Sequence, residues 1–188
     1  MINSYKSDDL NQELQTFRNR CHELHHKKFD ELFLPNENDV CSFKYCEVKN
    51  LSDLEPLRNT QGVYIIFSNC KIDENDCNLS FDFPNSDDKK YITAKAIYRG
   101  EGSKIKDRIV SHLFNSHHRQ ADVPQMDNCM EIELGEKGIN VDSEKYKKFS
   151  WYLIVIRLAK SKSLIRKFME EVFDERYGRP FASRENVL

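Results

Sequence analysis

One run constrains the fold more than any other: Ser150-Trp151-Tyr152-Leu153-Ile154-Val155-Ile156-Arg157-Leu158-Ala159, the most apolar in the chain. Its length and its β-branched and aromatic content predict a strand buried on both faces. Such a strand needs neighbours on each side and something to cover it. The sequence supplies two of its own kind. Gly62-Val63-Tyr64-Ile65-Ile66-Phe67 is a short β-branched and aromatic run, and Tyr91-Ile92-Thr93-Ala94-Lys95-Ala96-Ile97-Tyr98 is a second, predicted to pair antiparallel with it. The glycines of Tyr98-Arg99-Gly100-Glu101-Gly102 are expected to stop that strand and hand the chain to a helix.

The covering helices are also legible. A helix is predicted over about residues 103–115, started by Ser103, with Ile105, Ile109 and Leu113 as its buried stripe. Arg108 and His112 lie one turn apart beside that stripe, at an edge that can face a cleft. A second helix follows Ser163, carrying Leu164, Ile165, Phe168, Met169, Val172, Phe173 and Tyr177. Gly178-Arg179-Pro180 ends it. Residues 8–33 read as a third helix, capped by Asp8 or Asp9, with Leu10, Leu14, Phe17, Cys21, Leu24, Phe29 and Leu32 near helical spacing. This arm either packs its stripe on the domain or serves as a dimerisation or DNA-contact helix. Ser42–Val48 predicts a further strand, Leu51–Leu57 a short helical turn, and Met130-Glu131-Ile132-Glu133-Leu134 an edge strand by strict alternation. The polar stretch of about residues 69–90 reads as an insert, with a strand at Leu79-Ser80-Phe81-Asp82-Phe83. It is a solvated loop or a recognition element, and its acidity favours the loop.

Two strand tyrosines followed by an arginine and a histidine at helical spacing resemble the GIY-YIG nuclease family. Gly62-Val63-Tyr64 and Tyr98-Arg99-Gly100 stand where that family has its two name motifs. Tyr98 to Arg108 is ten residues and Arg108 to His112 four, as in the family pattern. The resemblance implies an α+β fold, a small antiparallel β-sheet in a β-β-α-β-α core flanked by helices, here with an N-terminal helical arm. Residues 1–58 would form the arm and a strand, packed on or assembling the core. Residues 59–188 would form the nuclease core, with an insert where compact members have none.

The implied activity is a divalent-metal-dependent endonuclease that hydrolyses phosphodiester bonds in DNA, in restriction or phage defence. A repair or mobile-element nuclease is the second setting. A non-catalytic nucleic-acid or protein binding module on the same fold is the rival class. By the resemblance, Tyr64, Tyr98, Arg108, His112, Glu170 and Asn186 form the site, gathered in one pocket. Glu170 would hold one Mg²⁺ or Mn²⁺, with Glu171 as the alternative ligand. Glu170 is preferred because it lies beside the apolar stripe of its helix. Arg108 would clamp the phosphate. Tyr64 or His112 would take the proton of the attacking water, with Tyr98 positioning that water. DNA is the expected partner, RNA the alternative, and a homodimer would suit a palindromic target.

Charge limits how such a partner could be held. The formal net charge is −2, so nucleic acid must meet a local basic face rather than the whole surface. No run approaches the length of a membrane span, and the polar opening Met1-Ile2-Asn3-Ser4-Tyr5-Lys6 has no signal-peptide character. A cytoplasmic protein is expected, with Cys21, Cys41, Cys46, Cys70, Cys77 and Cys129 as free thiols. Cys21, His25, Cys41 and Cys46 have zinc-binding chemistry but no compact Cys-x-x-Cys spacing, so a structural Zn²⁺ is not favoured.

Overall fold

The computed structural model describes residues 7–33, 45–85, 90–114, 130–133 and 138–183, with backbone alone for 7–11 and 32–33. By contacts the chain divides into two units, Met1–Ser42 and Phe43–Leu188. The first holds α1 (Ser7–Phe33). The second holds β1 (Tyr45–Glu47), β2 (Gly62–Ser68), β3 (Ser80–Pro84), β4 (Tyr91–Gly102), α2 (Ile105–Leu113), β5 (Trp151–Arg157) and α3 (Ser163–Tyr177). The fold is α+β, as the sequence predicts.

The five strands form one antiparallel sheet in the order β1-β5-β2-β4-β3. The run 151–157 lies between two neighbours, and β2 is the centre, buried along its whole length. The strand predicted inside the insert exists and forms the far edge. The sheet curls strongly. Its edge strands would stand about 19 Å apart if it were flat, yet the rings of Tyr45 on β1 and Phe83 on β3 are 5.4 Å apart, and Phe83 stacks on Tyr152 of β5 at 4.3 Å.

Helices cover both faces. Tyr64 and Ile66 point to the α2 side, where Ile105, Ile109, Leu113, Trp151 and Leu153 complete a core. Arg99 and Glu101 point to the other side and bind α3, as strand alternation requires. One extra residue interrupts that alternation. Ile66 pairs with Tyr98 and Phe67 with Ala96, so Ile97 is a bulge.

Several expectations are corrected. β4 runs through Gly100 and ends at Gly102, because both glycines still pair with β2. Ser103 does not cap α2, nor Ser163 α3: Lys104 and Lys162 hold the cap positions, and neither makes a side-chain cap bond. Among the described residues 130–133 there is no strand. Met130 and Ile132 are buried, so their alternation records burial without a ladder. The short turn at Leu51–Leu54 is a 3-10 helix, closed by reciprocal bonds between Asn50 and Asp53. On α1 the stripe is uneven: Phe29 is buried, but Leu14, Phe17 and Leu24 are exposed. Cys21, Cys46, Cys70 and Cys77 are free thiols, and Cys41 and Cys129 lie outside the described residues. No described helix is long and apolar enough to cross a membrane.

The close pairing of β2 with β5 makes a test. A Cβ on Gly62 would stand 2.2 Å from the Ile156 carbonyl oxygen, a backbone atom that cannot swing away. Gly62→Ala should therefore cost about 1–3 kcal/mol and lower the thermal midpoint by several degrees. An unchanged melting curve would place the two strands further apart than this register requires.

Candidate active site

The site grows from a steric arrangement on the α2 side of the sheet. Tyr64 is the register partner of Gly100. A Cβ on Gly100 would meet Tyr64 Oη at 2.6 Å, Tyr64 Cζ at 2.7 Å and Tyr98 Cε1 at 2.8 Å. A Cβ on Gly102 would meet Arg108 Cδ at 2.7 Å. The two glycines thus leave the floor on which both phenols and the guanidinium lie. Tyr64 and Tyr98 stack at 5.9 Å, and His112 stands 4.3 Å from Tyr98 and 6.0 Å from Tyr64, ring centre to ring centre. Four of the expected residues therefore meet. Tyr64 and His112 are sealed in (0% and 1% exposed), while Tyr98 and Arg108 are half-buried.

The polar atoms there lack partners. Among the described residues, Tyr64 Oη, Arg108 Nε and both ring nitrogens of His112 are buried without a hydrogen bond. Each such atom costs about 1–3 kcal/mol in a folded protein. Four in one place call for an explanation, although Tyr64, Tyr98 and Arg108 also lie near enough to shift one another's titration. Electrostatics agree with that crowding. Burial pushes the Tyr64 phenol well up, Tyr98 adds to the rise, and Arg108 opposes it. Burial raises Tyr98 as well, again against Arg108. The pKa of Arg108 is raised: burial works against its charge, but the two phenols outweigh burial. His112 falls to about 3, first through burial and then through Arg108. At neutral pH this buried cluster holds two neutral phenols, a neutral imidazole and one fixed positive charge.

Glu170 is not in this group. It sits on α3, across the sheet, where Arg99 Nη1 donates to its Oε1 at 3.0 Å. Arg99 also grips Asp174 through Nε at 2.9 Å and Nη2 at 2.6 Å. One turn earlier on α3, the buried Arg166 donates to Glu101 Oε2 at 2.6 Å. Residues 166, 170 and 174 thus form one stripe of α3 in which Arg166 meets Glu101 and two carboxylates share Arg99. Burial raises the Glu170 carboxyl above its ordinary value. Arg99 lowers it, and Glu101 and Asp174 push it further up. Its charge is felt at Tyr98, so the two halves are electrostatically linked although they do not touch. Glu171 is exposed, and Asn186 lies outside the described residues. Ser183 closes the open edge of β4: its Oγ accepts from Arg99 N at 2.7 Å and donates to Arg99 O at 3.0 Å.

A cavity of about 640 Å³ opens at the opposite end of the sheet, between Cys70, Ile72, Glu131, Tyr146 and Phe181, and none of the expected site residues lines it. The Arg99, Glu101, Arg166 and Asp174 network is absent from the sequence expectations. Its signal was present as a period of four on the helix against a period of two on the strand. Comparison with family models, with curated proteins and with solved structures finds no match.

His112 offers a direct check. Its folded pKa lies below the ordinary 6.5, so the unfolded chain takes up a proton first. The stability it contributes is whole above about pH 6.5 and drains as pH falls toward 3. Between pH 7 and pH 5 the urea midpoint should drop less in His112→Gln than in wild type. Equal drops would mean that the ring titrates normally and is open to water.

Proposed function

We propose that this protein is a metal-dependent phosphodiester hydrolase of the GIY-YIG type, acting on DNA as an endonuclease. The observation that carries the proposal is the set of orphaned polar atoms from Tyr64, Arg108 and His112, walled by Tyr98 and floored by two glycines. A phosphate group would satisfy such a set once the side chains part to admit it, since Tyr64 and His112 are sealed in the resting structure. Its non-bridging oxygens accept from the guanidinium fork, and a water beside it can donate to neutral His112 and accept from a phenol. Arg108 is the clamp, fixed in charge at every pH of interest. His112 or Tyr64 receives the proton of the attacking water. Each is weak in that role in the resting state, His112 because its pKa is low and Tyr64 because its phenolate is disfavoured. Bringing a phosphodiester monoanion beside His112 raises the imidazole, which favours it as acceptor once substrate is bound. Tyr98, half-exposed, orients the water.

By the resemblance Glu170 is the residue that would hold the cation, and its hard oxygens suit Mg²⁺ or Mn²⁺. Here Arg99 holds Glu170 and both oxygens of Asp174 and Arg166 holds Glu101, so a cation would have to displace Arg99 from Glu170 to bind. The ion would supply charge to the scissile phosphate and its leaving oxygen. Arg99 shares that carboxylate. This favours a second reading, in which Glu170 is a structural partner of Arg99 and the fold is a binding module without catalysis. The biological setting that suits a small nuclease chain is restriction or phage defence.

Purified protein incubated with plasmid DNA and Mg²⁺ or Mn²⁺ separates the readings. Wild type should nick or cut. Arg108→Ala and Glu170→Ala should each lower the rate roughly 10²–10³-fold, the usual loss for removing one charge-stabilising group. Cutting that survives both substitutions would dissolve the assigned site. A loss in Glu171→Ala instead would move the metal role by one residue. Absence of cutting under either metal supports the binding module.

A further inference from the structure

Six cations gather at one end of the sheet. β2 begins at Gly62, β4 ends at Gly102 and β5 ends at Arg157, and Gly62 is the register partner of the other two. The loops leaving these ends are tied together. Leu158 N donates to Gln61 O at 2.9 Å and Ile105 N to Thr60 O at 3.2 Å. Asn59 Nδ2 donates to Asp107 Oδ1 at 2.8 Å, and Asp107 N donates to Asn59 Oδ1 at 3.2 Å. On these loops stand Arg58, Lys104, Lys106, Arg157, Lys160 and Lys162. All but Lys106 are exposed, and among the described residues none of those five is in an ion pair. Lys106 reaches the Glu55 carbonyl at 3.3 Å. The exposed carboxylates of the same loops are Glu55 and Asp107. Six positive charges against two, in a chain of formal charge −2, is a segregation that leaves the rest of the molecule acidic.

This end is built rather than loose. The turn at residues 158–161 closes through Ser161 N to Leu158 O at 3.0 Å, with Lys160 held at a φ of 60°. Arg166, 5% exposed, reaches from α3 to Ser161 O at 2.5 Å and to Ser161 Oγ at 3.2 Å while it binds Glu101. A buried guanidinium therefore locks the turn carrying Lys160 and Lys162 to β4. Arg108 lies against Gly102 at the same strand ends.

We infer that this end of the sheet is the track on which the sugar-phosphate backbone of a nucleic acid lies as it leads to Arg108. The inference rests on the nuclease reading and names the surface that the reading requires. Three neighbouring strands span about 10 Å, and each DNA strand carries a phosphate about every 3.4 Å along the axis. The track thus matches about three phosphates per strand.

Binding is measured in EDTA, so that cutting plays no part, with labelled duplex DNA, single-stranded DNA and RNA, and with anionic phospholipid vesicles. The track variant is Lys104→Ala, Arg157→Ala, Lys160→Ala and Lys162→Ala together. The control removes equal charge at the other end of the sheet: Lys71→Ala, Lys145→Ala, Lys147→Ala and Lys148→Ala. Wild type should bind at least one of the nucleic acids. The track variant should bind it at least tenfold more weakly, and its slope of log affinity against log salt should shrink by about 3 to 4. The control should stay within about threefold of wild type. Equal losses in both variants, no loss in the track variant, no nucleic-acid binding by wild type, or binding to vesicles alone would each overturn the inference. Binding through the track without cutting in Mg²⁺ or Mn²⁺ would leave the track standing and remove the nuclease reading. Cutting at the wild-type rate by the track variant, with unchanged binding, would do the reverse.

Discussion

The structure depends on one close contact: the hydroxyl end of the Tyr64 ring lying where any side chain at position 100 would be. A phenol can occupy the middle of a fully buried strand only if the opposite strand gives up its own side chain at that level. Gly100 does so, and Gly102 does the same for Arg108 one step along. From this follow the stacking of Tyr64 on Tyr98, the approach of His112 to both, and the burial that shifts all three titrations. The motif glycines matter here for the volume they leave empty, since neither adopts a positive φ.

The other face is organised by charge. Arg99 and Glu101 point away from the phenols and meet Asp174, Glu170 and Arg166 on α3. Removing one member of such a half-buried set strands its partner, which typically costs about 3–5 kcal/mol. The network fixes the angle at which α3 crosses β4 and so fixes where Glu170 can present its carboxylate. It also couples Glu170 to the phenols although they stand on different sides of one strand, because Tyr98 and Arg99 are adjacent in the chain.

Much of this was legible in the residues themselves. Runs of β-branched and aromatic residues gave β2, β4 and β5, and the stripe Ile105, Ile109, Leu113 gave α2, because burial leaves a plain record in composition and, on a helix, in period. Tyr64, Tyr98, Arg108 and His112 were recoverable as a set from their order and spacing. Three things were not. The 130–133 alternation mimicked a strand because a buried loop can alternate too. Helix starts were misplaced by one or two residues because Ser103 and Ser163 look like caps, whereas backbone bonds decide the matter. The depth of burial of Tyr64 and His112 was hidden because a residue at the edge of a stripe in sequence can be sealed by the curl of a sheet, which is a property of five strands together.

The bulge at Ile97 carries a last consequence. The extra residue uncouples the register of β4 on its two sides: Tyr98 onward is locked to β2 near the phenols, while Tyr91–Lys95 keeps step with β3. The excursion that leads to β3 is tied in beside this bulge: Asn75 Nδ2 donates to Ala96 O at 2.9 Å, its Oδ1 accepts from Phe181 N at 3.2 Å, and Asn78 N donates to Tyr177 O at 2.7 Å. It acts as a strap that buckles the outer half of β4 to the far end of α3, while the hydroxyls keep the register set by β2.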